Sequence, residues 1–140
     1  MSEISAPTLT LPEPVRKRLE DESTIWLTTV DGKGGPVPTP VWFLWSDGTF
    51  LIFSRPGTAK LANIAVRPRV ALNFDGDGFG GNIAVFTGTA VAGTPVTDDE
   101  WERYVRKYEE GMRTLEYGPD SFRADYSVPV RVTPQRFQGW

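Results

Sequence analysis

The stretch PVPTPVWFLWSDGTFLIFSRPGTAKLANI, residues 36–64, decides how this chain reads. VPTPVWFLW (37–45) is apolar, aromatic and β-branched, and predicts a strand. SDG (46–48) turns it back, and TFLIFS (49–54) predicts the next strand. Pro38 and Pro40 lie two residues apart, so both remove amide donors from the same side of the first of these strands. That strand is therefore a sheet edge, a bulge, or backbone facing something other than protein. TAKLANIAV (58–66) then fits a helix of two to three turns, with Leu61, Ile64 and Ala65 on one face and Pro68 beyond its end. Thr58 stands at the N-cap, where its hydroxyl is expected to accept from a free first-turn amide. Lys60 falls in the first turn, with Arg55 just upstream. Helix starts favour acids, not cations. Either Lys60 carries its charge out to solvent on a flexible stem, or the free amides, the Thr58 hydroxyl, Lys60 and Arg55 converge on an anion such as phosphate.

Working outward, LPEPVRKRLED (11–21) reads as a short helix with Pro14 in its first turn. Residues 1–10 read as a loose tail. TIWLTTV (24–30) is a strand, and DGKGGP turns it into the edge strand. VALNFD (70–75) and NIAVFTGTAVAG (82–93) are further strands. TDDEWERYVRKYEEGMRTLEYG (97–118) predicts one long helix. Thr97 and Glu100 form its capping box, and Trp101, Tyr104, Val105, Tyr108, Met112 and Leu115 its apolar stripe. SVPVRVTPQRFQGW (127–140) closes the chain as a strand and tail. Six strands joined mainly by hairpins, with one long helix late, predict a mainly β fold: a six-stranded antiparallel barrel with peripheral helices in one domain, 1–140.

Composition excludes much chemistry. The 140 residues contain no Cys and no His. Thiolate chemistry, disulfides and the Ser-His pair are gone, as is the commonest metal ligand. The net charge of −3 argues against a nucleic-acid partner. No apolar run reaches the ~18 residues of a membrane helix, and the start lacks a basic and apolar leader. The expected location is cytoplasmic, with no membrane partner.

DGDGFGG (75–81) satisfies G-x-G-x-x-G, but a strand follows it where a dinucleotide site needs a helix, so it reads as a mobile hairpin. Asp75 and Asp77 lack the other ligands of a calcium loop. Phe79 at its tip is either a partly buried loop aromatic or a cover for a ligand. The acids Asp98, Asp99, Glu100 and Glu102 are explained by the helix start. Trp140, the last residue shown, would fray unless the protein's own core, a flat cofactor or a second subunit held it.

The order of these segments resembles the split-barrel flavin and deazaflavin family that includes pyridoxamine 5′-phosphate oxidase. The likeness runs through TIWLTTV, PVPTPVWFLW, TFLIFSRPGTAKLANI and VRPRVALNF, roughly residues 22–93. In that family a Ser or Thr and a Lys at the helix start hold the cofactor phosphate, and Thr58 and Lys60 match them. Ser54 and Arg55 join that group. Thr39 and Ala59 occupy cofactor-binding positions where FMN-using members carry Arg, and Leu44 stands near a Lys position. With those charges lost, the sequence resembles instead the actinobacterial branch that uses coenzyme F420, a deazaflavin. There a P-x-P-V-W-F-like strand lays its backbone against the ring, which implies Pro40, Val41 and Trp42.

The resemblance also implies a homodimer with the cofactor at the subunit interface. Phe79 or Trp140 of one subunit would then cover the ring in the other. The implied reaction is hydride transfer from reduced F420 to an electrophilic small molecule. The alternatives are an FMN-dependent enzyme of the same fold, or a non-catalytic protein that binds flavin, deazaflavin or haem.

Overall fold

The computed structural model describes residues 9–140. In chain order the elements are α1 (Glu13–Asp21), β1 (Ile25–Val30), β2 (Pro36–Val41), β3 (Leu44–Ser46), β4 (Thr49–Ser54) and α2 (Ala59–Val66). They continue with β5 (Arg69–Asn73), β6 (Ala84–Ala92), α3 (Asp98–Thr114), α4 (Pro119–Asp125) and β7 (Val128–Gly139). Of the tail expected over residues 1–10, only Leu9 and Thr10 lie within the described residues. Leu9 packs against the barrel core.

All seven strands belong to one antiparallel sheet in the order β2-β1-β5-β6-β7-β4-β3. β2 and β3 sit at its two ends, yet only Trp42 and Phe43 separate them in the chain. A flat sheet would hold two such edges about 29 Å apart at the usual strand spacing. Three Cα steps span at most about 11 Å. The sheet must therefore curl until its edges meet, giving a barrel left unzipped between β2 and β3. The mainly β architecture is as the sequence predicts.

The strand expected over 37–45 is the main difference. It divides at Trp42–Phe43 into β2 and β3, which makes seven strands of six. The side chains of α3 supply the hydrogen bonds that the ladder no longer gives. The Phe43 amide donates to the Tyr108 hydroxyl at 2.8 Å. Lys107 Nζ donates to the Phe43 carbonyl at 2.8 Å. The Tyr108 hydroxyl itself lies 2.8 Å from the Ser23 carbonyl and 2.9 Å from that of Phe43. Phe43 enters the barrel core and Trp42 packs on the opposite side.

Two cores result. Ile25, Leu27, Phe50, Leu72, Phe86 and Val132 fill the barrel. Leu51, Phe53, Tyr104, Tyr108, Met112 and Phe122 fill a second core beneath α3 and α4. β4 lies between them and alternates in the period of a strand: Phe50 and Ile52 serve the first core, Leu51 and Phe53 the second. The long helix expected to reach residue 118 stops earlier. Glu116 adopts a left-handed conformation, φ +63°, and the Tyr117 amide returns to the Met112 carbonyl at 2.7 Å. Pro119 then starts α4, which the sequence reading left unassigned. Leu115, placed on the apolar stripe, is exposed. No helix among the described residues is long and apolar enough to cross a membrane.

Candidate functional site

β2 is an edge strand, which explains its prolines. Pro36, Pro38 and Pro40 alternate with Val37, Thr39 and Val41, which face Val30 to Ile25 of β1 in register. Proline has no N–H to give, so the amides that bond β1 come from the alternate residues. The outer edge is left with carbonyls but no donors at the three prolines, and no further strand can pair there in the ordinary way.

The end of this edge, the barrel seam and the β4–α2 turn together enclose an open cleft of about 530 Å³. Pro40, Val41 and Trp42 line one side. Ser54, Arg55, Thr58 and Lys60 line a polar end. Phe53, Tyr104, Leu115, Phe122 and Tyr126 line the remaining wall, with Thr24. No carboxylate is among these residues, and two cations are.

The polar end differs from expectation in one respect. Thr58 has the backbone of an N-cap, φ −78° and ψ 158°, but its side chain makes no capping bond. Its hydroxyl instead meets the Ser54 hydroxyl at 3.1 Å, and Ser54 donates to the Arg55 carbonyl at 2.9 Å. The first-turn amides of α2 have no side-chain cap and no acid beside them. Lys60 is half-buried, and among the described residues it has no hydrogen bond or ion pair. Burial lowers its pKa from the usual lysine value. A half-buried cation beside uncapped amides and two hydroxyls is a donor set that suits an anion. A cofactor phosphate fits this donor set.

Arg55 turns the other way. Its Nη2 donates to the Tyr117 hydroxyl at 2.9 Å and lies 3.9 Å from the Asp125 carboxylate. The Tyr117 hydroxyl donates in turn to Asp125 Oδ2 at 2.7 Å. The guanidinium carbon lies 4.9 Å from the centroid of the Tyr126 ring.

The remaining wall is a run of near-parallel rings. Tyr108 stacks on Trp42 at 4.5 Å and 4°, Trp42 on Phe122 at 5.6 Å and 14°, and Phe122 on Tyr126 at 4.4 Å and 11°. The Trp42 ring is thus committed between Tyr108 and Phe122. Val41 packs against the barrel core, so both side chains are engaged within the protein.

Of the residues singled out from sequence, Pro40, Val41, Trp42, Ser54, Arg55, Thr58 and Lys60 line this one cleft. Thr39 and Ala59 stand beside lining residues without lining it. Phe79 and Trp140 lie elsewhere, where the Trp140 indole donates to the Gly80 carbonyl at 2.9 Å. Phe79 is 95% exposed and Trp140 68%. Asp77 Oδ1 accepts from the Phe79 and Gly81 amides at 2.7 and 3.0 Å and shapes the loop. Sequence reasoning missed Phe53, Tyr104, Phe122 and Tyr126 as lining residues. The one available signal was the i, i+4 aromatic pair in FRADY (122–126).

The fold has solved counterparts. An F420 reductase superposes with a TM-score of 0.68 at 22% identity, covering 91% of this chain and 98% of that one. A conserved hypothetical protein from Mycobacterium tuberculosis gives 0.69 at 22%, covering 99% and 89%. The heme storage protein HutZ from Vibrio cholerae gives 0.66 at 18%, covering 91% and 93%. At these identities the likeness carries the fold. No curated protein matches the sequence. The family profile described as pyridoxamine 5′-phosphate oxidase matches residues 11–140, so the chain belongs to the pyridoxamine 5′-phosphate oxidase-like family of split barrels.

Proposed function

We propose that the chain is an oxidoreductase that binds reduced coenzyme F420 and passes a hydride to an electrophilic small molecule. The observation that carries this reading is the unpartnered, half-buried Lys60 at the uncapped start of α2. Lys60, Ser54 and Thr58 hold the cofactor phosphate there. The backbone of Pro40, Val41 and Trp42 faces the ring. F420 supplies the hydride chemistry when bound, and the protein binds and orients it. Thr39 and Ala59 support F420 over FMN, because neither offers the cation that an FMN-binding relative carries.

The working unit is a homodimer with the cofactor at the subunit interface. The exposed Phe79 and Trp140 support that arrangement, since among the described residues nothing covers most of either ring and neither lines the cleft. The site is expected in the cytoplasm, where the chain has no disulfide to form.

Titration of the purified protein with F420 and with FMN, followed by difference absorbance, tests the reading. Micromolar F420 binding is expected. Micromolar or tighter FMN binding with no F420 binding overturns it. F420 binding without turnover across a panel of acceptors would leave a carrier protein in place of an enzyme.

A further inference from the structure

The ring stack that forms one wall of the cleft ends at Tyr126, and its last face is occupied by a charge. One end of the run is fixed: Tyr108 is buried and its hydroxyl holds the backbone of Phe43 at the barrel seam. Trp42, Phe122 and Tyr126 follow in nearly parallel planes. Phe122 covers one face of Tyr126, so the guanidinium of Arg55, 4.9 Å from the centroid, lies on the other. Both Tyr126 and Arg55 line the cleft. Arg55 is more than half exposed, and its remaining partners, Tyr117 and Asp125, are not among the residues that line the cleft. An exposed cation over a ring is a weak contact that a better π surface can displace. The packed faces behind Tyr126 are permanent by comparison.

The geometry points to Tyr126 as a stacking platform for the acceptor, with Arg55 moving aside to donate to an oxygen at the acceptor's edge. The acceptor class is a flat, conjugated molecule bearing a carboxylate or carbonyl at its rim. Arg55 thereby serves the acceptor, and Lys60 with Ser54 and Thr58 serves the cofactor. Arg55 is engaged with Tyr126, Tyr117 and Asp125, whereas Lys60 has no partner among the described residues, and this divides their roles. Flat conjugated systems stack on such a platform face to face, whereas a saturated ring of the same size meets it only at a few edge atoms. The platform is thus a specificity-determining feature: it discriminates planar from puckered molecules of equal charge. The word acceptor rests on the F420 reading, but the platform itself does not.

The probes are 2-naphthoate and its saturated counterpart decalin-2-carboxylate, both redox-inert and equal in charge. Calorimetric titration of the full chain measures each. The wild-type protein is expected to bind 2-naphthoate at least tenfold more tightly. Tyr126→Phe keeps the ring and should keep that ratio. Tyr126→Leu should reduce it to about threefold or less. Arg55→Gln should weaken both carboxylates together and leave the ratio unchanged.

A wild-type ratio near one overturns the proposal even if Tyr126→Leu fails to fold. A ratio unmoved in folded Tyr126→Leu overturns it as well. F420 titration of the same proteins separates the two readings. Loss of F420 binding in the wild type would remove the cofactor reading and leave the naphthoate ratio standing as a test of the platform.

Discussion

Two helix starts in this molecule have nearly the same backbone and opposite chemistry. α2 begins at Thr58 with φ −78° and ψ 158°, and α3 begins at Thr97 with φ −79° and ψ 158°. At α3 everything is satisfied. The Thr97 hydroxyl accepts from the Glu100 amide at 3.0 Å, and Glu100 accepts in return from the Thr97 amide at 3.1 Å. Asp98 and Asp99 add negative charge to the first turn. Glu100 also takes a two-pronged contact from Arg131 of β7, at 2.9 and 3.0 Å. At α2 nothing comparable is present: the threonine is turned to Ser54, the first turn has no acid, and its one charge is a half-buried lysine. A start that the protein completes for itself is structural. A start left incomplete around a partly desolvated cation has donors free for a ligand.

The largest way to break that contrast is at Glu100. Its carboxylate is buried beside the Arg131 guanidinium, which holds its pKa at about 2 against an ordinary 4.5. Glu100→Ala takes the one carboxylate from the largely buried Arg131 and removes half the capping box. Stability should fall by about 3 kcal/mol or more in chemical denaturation, with F420 affinity in the folded fraction unchanged. The pH dependence follows from the sign of the shift. A lowered carboxylate pKa stabilises the fold above about pH 4.5. That contribution, about 3 kcal/mol, is lost as pH falls towards 2. Acid unfolding of the wild type should therefore be steeper over this range than that of Glu100→Gln. Equal acid profiles would detach Glu100 from the stability of the fold.

Lys60 sharpens the contrast from the other side. Lys60→Ala should weaken F420 binding by roughly 1.5–3 kcal/mol, the worth of a charged hydrogen bond, and leave the apo fold as stable or slightly more so. Substitution at one helix start costs stability without affinity, and at the other affinity without stability. Lys60 must be protonated to hold a phosphate, and burial already lowers its pKa below the usual 10.5. Affinity should decline as pH rises through that lowered value, and Lys60→Arg should shift the decline to higher pH. Unchanged binding in Lys60→Ala would leave Lys60 as a surface charge.

The sequence made the polar end of the cleft readable because it is contiguous. Ser54, Arg55, Thr58 and Lys60 lie within seven residues, and a strand followed by a short helix fixes how they group. The aromatic wall was not readable. Tyr104 and Tyr108 repeat at helical spacing, which says that they are buried but not what lies opposite them. Trp42, on which Tyr108 stacks, is more than sixty residues away in the chain. The seam was hidden for a related reason. WFLW is apolar at every position, so no period reveals that Trp42 and Phe43 leave the ladder for two different cores. The long helix was overextended because LEYG continues its composition, and only the left-handed Glu116 ends it. The capping box, by contrast, is a local pattern and was legible, although the Arg131 partner of Glu100 was not.

The smallest effect is the most direct comparison of the two starts, since it changes the same residue type in the same backbone. Thr97→Ala removes a hydroxyl that accepts from the Glu100 amide and should cost about 1 kcal/mol of stability. Thr58→Ala removes a hydroxyl that caps nothing and bonds only Ser54. Its cost should stay below about 0.5 kcal/mol, because the Ser54 hydroxyl left behind still donates to the Arg55 carbonyl and lines the open cleft, where water can replace the lost partner. The order should reverse for the ligand: Thr58→Ala should weaken F420 binding by about 1 kcal/mol, one neutral hydrogen bond, and Thr97→Ala should not change it. Denaturant midpoints and F420 titrations on the same two proteins measure both halves. Equal stability losses at the two threonines would mean that α2 is capped in solution after all, and its open amides would no longer count towards an anion site.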